Sequence, residues 1–298
     1  MAMANPASKL STSVILNASD TLLVAKTDKL PDGSFLSSIM SCRYNATACD
    51  SRGLISFPAG VDTQSIEAKL LMTKDLRPVL VAANTSDLLL QVCKSPSCLA
   101  PNQTQPDPIL LASAPTYAIT SVAAALDPNN NDLMVAYAKK DDYDRSNNRL
   151  VLVRCNGLEC TDGDPAVHAI DTDADFIKLA LTSAGNPVIL YASRNLYGTF
   201  LIVCSDPMCT KTVRRTILDW YLDDPYHIAL TLTPDDIPMF SHDFGGNLNV
   251  GQCADQQCST WTSIKPLNGS AGAAMIYTDS AACVTTVYNG KVALLRCA

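Results

Sequence analysis

The chain has 298 residues, with 22 Lys+Arg against 29 Asp+Glu and a formal net charge of −7. That acidic balance excludes the basic face of a nucleic-acid binder, and no apolar run reaches the about 18 residues of a membrane-spanning helix. Charged residues make up only 17% and apolar ones 47%, so the chain folds around a core rather than staying disordered.

Short runs of Val, Ile, Leu, Tyr and Thr, bounded by Gly, Pro, Asn and Asp, read as strands. In chain order the first group is Ser13–Ala18, Leu22–Thr27, Phe35–Cys42 and Gly53–Phe57. The second spans 66–98 and closes with Ile109–Ala112. The third is Ala118–Ala125, Leu133–Tyr137, Leu150–Cys155 and Ala166–Ile170, with an inserted loop at Lys139–Asn148. The fourth covers 176–209 and ends at Val213–Leu218. The fifth covers 226–258 and ends at Trp261–Ile264. The sixth has Ala273–Thr278, Ala282–Tyr288 and Val292–Cys297, and then the chain stops. No long helical pattern occurs.

Twelve cysteines set the period. Four pairs share the spacing C-x4-C: Cys93 and Cys98, Cys155 and Cys160, Cys204 and Cys209, Cys253 and Cys258. Cys42 and Cys49 form a wider version. From the first Cys of each pair to the next, and then to Cys297, the steps are 51, 62, 49, 49 and 44 residues. A recurring step near fifty is the mark of a repeat architecture. Zinc knuckles use C-x2-C or add histidines; the spacing here is four, and the only histidines are His168, His227 and His242. Local disulfides are therefore expected, one per knuckle.

Four antiparallel strands in about 49 residues form one small sheet that cannot bury both faces alone. Radial stacking of such sheets solves the problem. The expected fold is all-β, a six-bladed β-propeller in one domain spanning 1–298. Its blades lie at roughly 11–58, 65–112, 116–170, 176–218, 226–265 and 272–298. The sixth blade lacks an outer strand, which residues 1–10 are expected to supply, although MAMANPASKL is a poor strand former. It also lacks a knuckle. If Asn289, Gly290 and Lys291 form a three-residue loop, Cys283 faces Cys297, and that pair is expected to form a disulfide.

The arrangement resembles the repeats of six-bladed propellers over essentially the whole chain. It shows no Tyr-Trp-Thr-Asp box, no blade-ending Trp-Asp dipeptide, no S-x-D-x-G-x-x-W turn of sialidases and no kelch glycine pair. The resemblance is architectural and transfers no activity.

Disulfides at this density place the chain in an oxidising compartment. Five N-x-[S/T] sequons occur, at Asn17, Asn45, Asn84, Asn102 and Asn268. Each falls at or near an expected turn, where a glycan acceptor belongs. A secreted or cell-surface glycoprotein follows. Residues 1–16 lack the basic start and continuous apolar core of a secretory leader. The expectation is a removed leader or an excised segment.

Catalytic motifs are missing: no G-x-S-x-G, no H-E-x-x-H, no phosphate loop. Ser241, His242 and Asp243 are neighbours along a strand, so alternate faces keep them from forming a triad. His227 begins an inner strand. The better chemical lead is acidic. Asp171, Asp173 and Asp175 form D-x-D-x-D in the loop entering the fourth blade, and Asp223 and Asp224 occupy the equivalent loop of the fifth. Asp141, Asp142 and Asp144 lie in the third blade's inserted loop. Such carboxylates suit Ca²⁺, against the plainer reading of a hydrated acidic loop set. No other cofactor is indicated. A lectin would repeat an aromatic platform in each blade, but Trp220 and Trp261 do not recur. The expected function is a non-catalytic extracellular unit for structure or protein binding in a coat, matrix or filament. Its partners would be itself or other extracellular proteins, with N-glycans attached. A Ca²⁺-dependent propeller hydrolase or lactonase and a carbohydrate-binding lectin are the alternatives.

Overall fold

The computed structural model describes residues 13–16, 21–43, 50–57, 67–95, 98, 105–113, 117–141, 148–158, 160, 166–170, 173–218, 228–244, 247–268, 270–278, 281–288 and 291–297. Among them are twenty-three strands and no helix. Each sheet is a simple antiparallel meander. The first sheet is β1 (Ser13–Leu16), β2 (Thr21–Lys29), β3 (Phe35–Arg43) and β4 (Asp50–Phe57). The second is β5 (Glu67–Met72), β6 (Pro78–Ala83), β7 (Asp87–Val92) and β8 (Ile109–Ser113). The third is β9 (Ala118–Leu126), β10 (Leu133–Lys140), β11 (Arg149–Arg154) and β12 (Ala166–Ile170). The fourth is β13 (Phe176–Leu181), β14 (Pro187–Ser193), β15 (Gly198–Cys204) and β16 (Thr212–Leu218). The fifth is β17 (Ile228–Leu232), β18 (Pro238–Phe244), β19 (Asn247–Cys253) and β20 (Trp261–Asn268). The sixth has three described strands, β21 (Ser270–Thr278), β22 (Ala281–Tyr288) and β23 (Lys291–Cys297).

The chain divides into two compact units, one of 1–126, 131–147 and 153–165, the other of 127–130, 148–152 and 166–298. In the first unit β1 lies against β5, and β5 against β9. In the second, β13 lies against β17 and β17 against β21. Sheets therefore meet through their first strands. Every residue of β6, β14 and β15 is buried. Such two-sided burial explains their near-continuous apolar sequences, PVLVAA, PVILYAS and GTFLIVC, broken only by the buried Ser193 and Thr199. The last strands differ: in β12 Ala166, Val167 and Ala169 are exposed. One core cluster joins the first and second sheets through Leu23, Ile39, Phe57, Leu70 and Leu80. Another joins the fourth and fifth through Leu190, Leu201, Val203, Ile228 and Phe240.

A recurrent hairpin turn links the first two strands of three sheets. It starts at Thr73, Thr182 or Thr233 and ends at the proline opening the next strand, Pro78, Pro187 or Pro238. The threonine hydroxyl accepts the N–H of Arg77 (2.8 Å), Asn186 (3.0 Å) or Ile237 (3.1 Å). The residue before that donor is left-handed: Leu76 at φ 61°, Gly185 at 75° and Asp236 at 60°. Pro tolerates its place because a strand's first residue has no ladder bond to lose. These turns also bind one another. Within the first unit, Asn131 Oδ1 accepts the Lys74 N–H at 3.1 Å. Within the second, Asp236 accepts the Ser183 N–H at 2.7 Å and its hydroxyl at 2.6 Å.

The sixth sheet departs from expectation. Tyr288 pairs with Lys291, so the hairpin loop has two residues, Asn289 and Gly290, not three. Cys283 then pairs with Arg296, and Cys297 with Ala282. A one-residue change of loop length shifts the register by one, and the direct opposition on which a Cys283–Cys297 bridge was argued does not hold. The expected closing strand at residues 1–10 lies outside the described residues.

In the fifth sheet Gly251 pairs with Phe240. A Cβ added at Gly251 would come within 2.4 Å of the Phe240 ring. That ring is fully buried and meets Trp261 edge-on at 5.4 Å. Gly251→Ala is thus expected to destabilise by overpacking, by about 1–3 kcal/mol, lowering the apparent Tm by several degrees in scanning calorimetry.

Candidate functional site

The knuckles form as expected from their spacing. Cys93–Cys98, Cys155–Cys160, Cys204–Cys209 and Cys253–Cys258 are disulfides with Cα–Cα distances of 5.2, 4.8, 4.8 and 4.8 Å. Cys42 is also disulfide-bonded, and Cys49 lies outside the described residues. The second cysteine of each closed knuckle is left-handed, at φ 52°, 48°, 58° and 51°. That conformation costs an L-residue about 1–2 kcal/mol, and the covalent clasp holds it. Carboxylates complete two knuckles. Asp206 accepts the N–H groups of Met208 (3.0 Å), Thr210 (3.0 Å) and Lys211 (2.9 Å), and the Thr210 hydroxyl (2.9 Å). Asp255 accepts the Ser259 N–H at 2.9 Å and its hydroxyl. The Thr210 N–H, first among these, holds the Asp206 carboxyl below the usual range. The Ser259 hydroxyl does the same for Asp255. In the third knuckle Asp132 takes this place from a distance, accepting the Gly157 N–H at 2.7 Å and pairing with Arg154 at 3.2 Å.

The acidic loop entering the fourth sheet meets the turn between β14 and β15. Asp173 Oδ1 accepts Asn148 Nδ2 at 3.0 Å, and Oδ2 accepts Asn195 Nδ2. Asp175 accepts the Arg194 N–H at 2.6 Å, while its own N–H goes to the Ala192 carbonyl at 2.8 Å. The Arg194 guanidinium lies 5.5 Å from the centre of the Phe176 ring. The turn then exposes Leu196 (39%) and Tyr197 (57%), with Tyr197 left-handed at φ 51°. Two of the three proposed Ca²⁺ carboxylates thus act as acceptors that tie loops together. Asp171 lies outside the described residues, as do Asp142, Asp144, Asp223, Asp224, His227 and Trp220. Among the described residues no group of three or more His, Cys, Asp or Glu is placed to hold a metal ion.

The other candidates separate. His242 is 3% exposed and stacks on Phe240 at 6.5 Å, and the adjacent Ser241 takes the opposite strand face. Asn84 is 2% exposed, with Oδ1 accepting the N–H groups of Ser86 (2.7 Å) and Asp87 (2.6 Å). The surface placement expected of that sequon does not hold, because the side chain closes its own turn. Asn268 ends β20, and Asn17, Asn45 and Asn102 lie outside the described residues. Sequence reasoning missed Glu67. Its carboxylate accepts the Val122 N–H at 2.8 Å, joining β5 to β9, with Lys69 at 3.6 Å. The available signal was rarity, since only two glutamates occur in the chain. It also missed the Thr-to-Pro spacing of the hairpin turns, which the sequence repeats three times.

No family model and no curated protein matches the chain. Solved structures do match. A Hadza microbial sialidase aligns over 97% of this chain with a TM-score of 0.62 at 13% identity. The chain spans 65% of that sialidase's length. A Dyadobacter fermentans protein of unknown function gives 0.64 at 10% identity, over 96% of this chain and 93% of its own. The SapL1 lectin in complex with α-methyl fucoside gives 0.58 at 9%, over 97% and 95%. The fold is of the β-propeller type. At these identities the likeness carries fold alone. No helix among the described residues is long and apolar enough to cross a membrane.

Two outcomes follow. A carboxyl whose folded pKa is depressed stabilises above about pH 4 and loses that contribution as pH falls through the folded pKa. Asp206→Asn should lower the Tm at neutral pH and flatten its acid dependence below about pH 4, read by calorimetry across pH. Glycopeptide mapping of the natively expressed protein should find Asn84 unmodified.

Proposed function

We propose that this chain is a secreted, non-catalytic propeller that works as a structural or protein-binding unit outside the cell. In this reading the six sheets are six blades, and the knuckle disulfides serve an oxidising, protease-rich setting. The observation that carries it is the use made of the acidic loop. The Asp173 and Asp175 carboxylates are engaged by Asn148, Asn195 and the Arg194 N–H, which makes them fasteners between loops. The low charge fraction, 17%, supports surfaces that partners or glycans cover. Typical soluble domains carry about 25%.

A second reading rests on Tyr197. An exposed aromatic residue in the same turn as Asn195, whose amide meets Asp173, offers an apolar plate on a loop that also carries amide and carboxylate groups, as a sugar site requires. A lectin bound to α-methyl fucoside shares the fold.

Light scattering and electron microscopy of the native, unreduced protein, with and without a calcium chelator, test the first reading. Filaments or large particles that survive the chelator are expected. A monomer that releases calcium and loses a hydrolytic activity would overturn it. Saturable binding of methyl α-fucoside, abolished in Tyr197→Ala, would replace it with the lectin.

A further inference from the structure

The core between the fourth and fifth sheets ends in polar side chains. His242 of β18 pairs with Ile228 and lies two residues past Phe240, both members of that core, so it faces the fourth sheet. It also pairs with Asn249 of β19, and residues paired across antiparallel strands share a face. His242 is 3% exposed and Asn249 4%. On the opposite wall stands Thr199 of β15. It pairs with Ala192 and lies two residues before Leu201, which belong to the same core. Thr199 is fully buried, and its hydroxyl has no hydrogen-bond partner among the described residues. The bonds from Ser183 to Asp236 join the turns that open β14 and β18, which sets the two strands in step. His242 comes four residues after Pro238, and Ala192 five after Pro187. Thr199, His242 and Asn249 therefore reach the same end of one gap.

The repeat puts aliphatic or aromatic residues at these positions. Five residues before the first cysteine of the other three C-x4-C knuckles stand Leu88, Leu150 and Leu248, all buried; only the fourth sheet has a hydroxyl there, at Thr199. The pair equivalent to His242 and Asn249 is Ala82 with Leu89 in the second sheet. In the fourth it is Tyr191 with Phe200, whose rings stack at 5.2 Å. Both walls of a single gap thus depart from the pattern, and each does so toward the other. A buried hydroxyl without a hydrogen bond is costly, and leucine at the equivalent positions shows that the fold does not require one.

We infer that this gap is a binding site for one water molecule, held by the Thr199 hydroxyl on one wall and by His242 and Asn249 on the other. A buried water makes about three hydrogen bonds to buried polar groups, and these side chains supply donors and acceptors of both kinds. His242 and Asn249 have contacts of their own. An amide has two donors and two acceptor lone pairs, and an imidazole has two ring nitrogens, so those contacts leave room for a shared water. The set contains no carboxylate to hold a cation and no ammonium or guanidinium to hold an anion, and a bare ion would stay uncompensated there. Among near-equivalent sheets, a satisfied polar set in one gap makes the fourth and fifth specific neighbours.

A crystal structure of the full disulfide-intact chain, at a resolution that shows ordered water, tests the site directly. A water within hydrogen-bonding reach of Thr199 Oγ1, His242 and Asn249 is expected. Scanning calorimetry adds a test of sign. Thr199→Val keeps the side chain's shape and removes only the hydroxyl. With the water in place this change strips it of a partner, and the Tm should fall by about 2–4 °C. With no water there, the change removes an unsatisfied group, and the Tm should rise. Asn249→Leu should also lower the Tm, and the double variant Thr199→Val/Asn249→Leu should lose less than the two single losses together, because one water serves both residues. A crystal structure with no water between the two sheets overturns the inference. So does a Tm raised by Thr199→Val, or losses that simply add in the double variant.

Discussion

A four-stranded sheet of fewer than about fifty residues has two apolar faces and no interior of its own. Everything else in this molecule answers that constraint. Residues of β6, β14 and β15 are buried without alternation, which requires a neighbour on either side. Sheets meet through β1, β5 and β9 in one unit and β13, β17 and β21 in the other. Side chains shrink where strands crowd: β9 is AITSVAAAL. Charge is rare in such strands, with Glu67 and Lys69 of β5 and Lys178 of β13 as the exceptions, and the scarcity of charge along the chain is the compositional trace of the stacking.

Stacked sheets leave their hairpin ends as the weak points, and there the chain spends its polar chemistry. At one kind of connection a threonine hydroxyl and a left-handed residue shape the turn. A neighbouring turn is then tied on through Asn131 or Asp236. At the other, a disulfide holds a left-handed cysteine, which is buried at Cys98, Cys209 and Cys258. Cys93 and Cys98 belong to the core between the first and second sheets, and Cys253 and Cys258 to that between the fourth and fifth. The knuckle is therefore both clasp and core plug. A disulfide closing so short a loop restrains the unfolded chain less than a long-range one; here the local geometry it enforces matters more.

Much of this was legible in the sequence because repetition averages out local ambiguity. Knuckle spacing, strand order and the third sheet's insertion all recur or interrupt a recurring pattern. Features that occur once were harder. Loop length at Asn289-Gly290 decides which face each cysteine of the sixth sheet takes, and the sequence permits two or three residues there. Asn84 satisfies a sequon and a turn cap with the same letters; only burial distinguishes them. Asp173 looks like a metal ligand beside Asp171 and Asp175. Its actual partners, Asn148 and Asn195, lie 25 and 22 residues away, and folding alone brings them in.

The same logic locates specificity. Inner strands are committed to neighbouring sheets, and turns are committed to each other and to their own backbones. What varies freely from sheet to sheet is the last strand, whose pairing satisfies only one side. These strands run from the charged DSRGLISF of β4 through the uncharged AVHAI of β12 to the basic TVRRTIL of β16. Core packing explains the residues facing inward, such as Ile55, Phe57 and Ile217. It does not explain why the last strands should differ so much in charge from one sheet to another. Individuality in a repeat protein is retained where the repeat's own packing no longer dictates the residue, and in this chain that place is the unpaired edge.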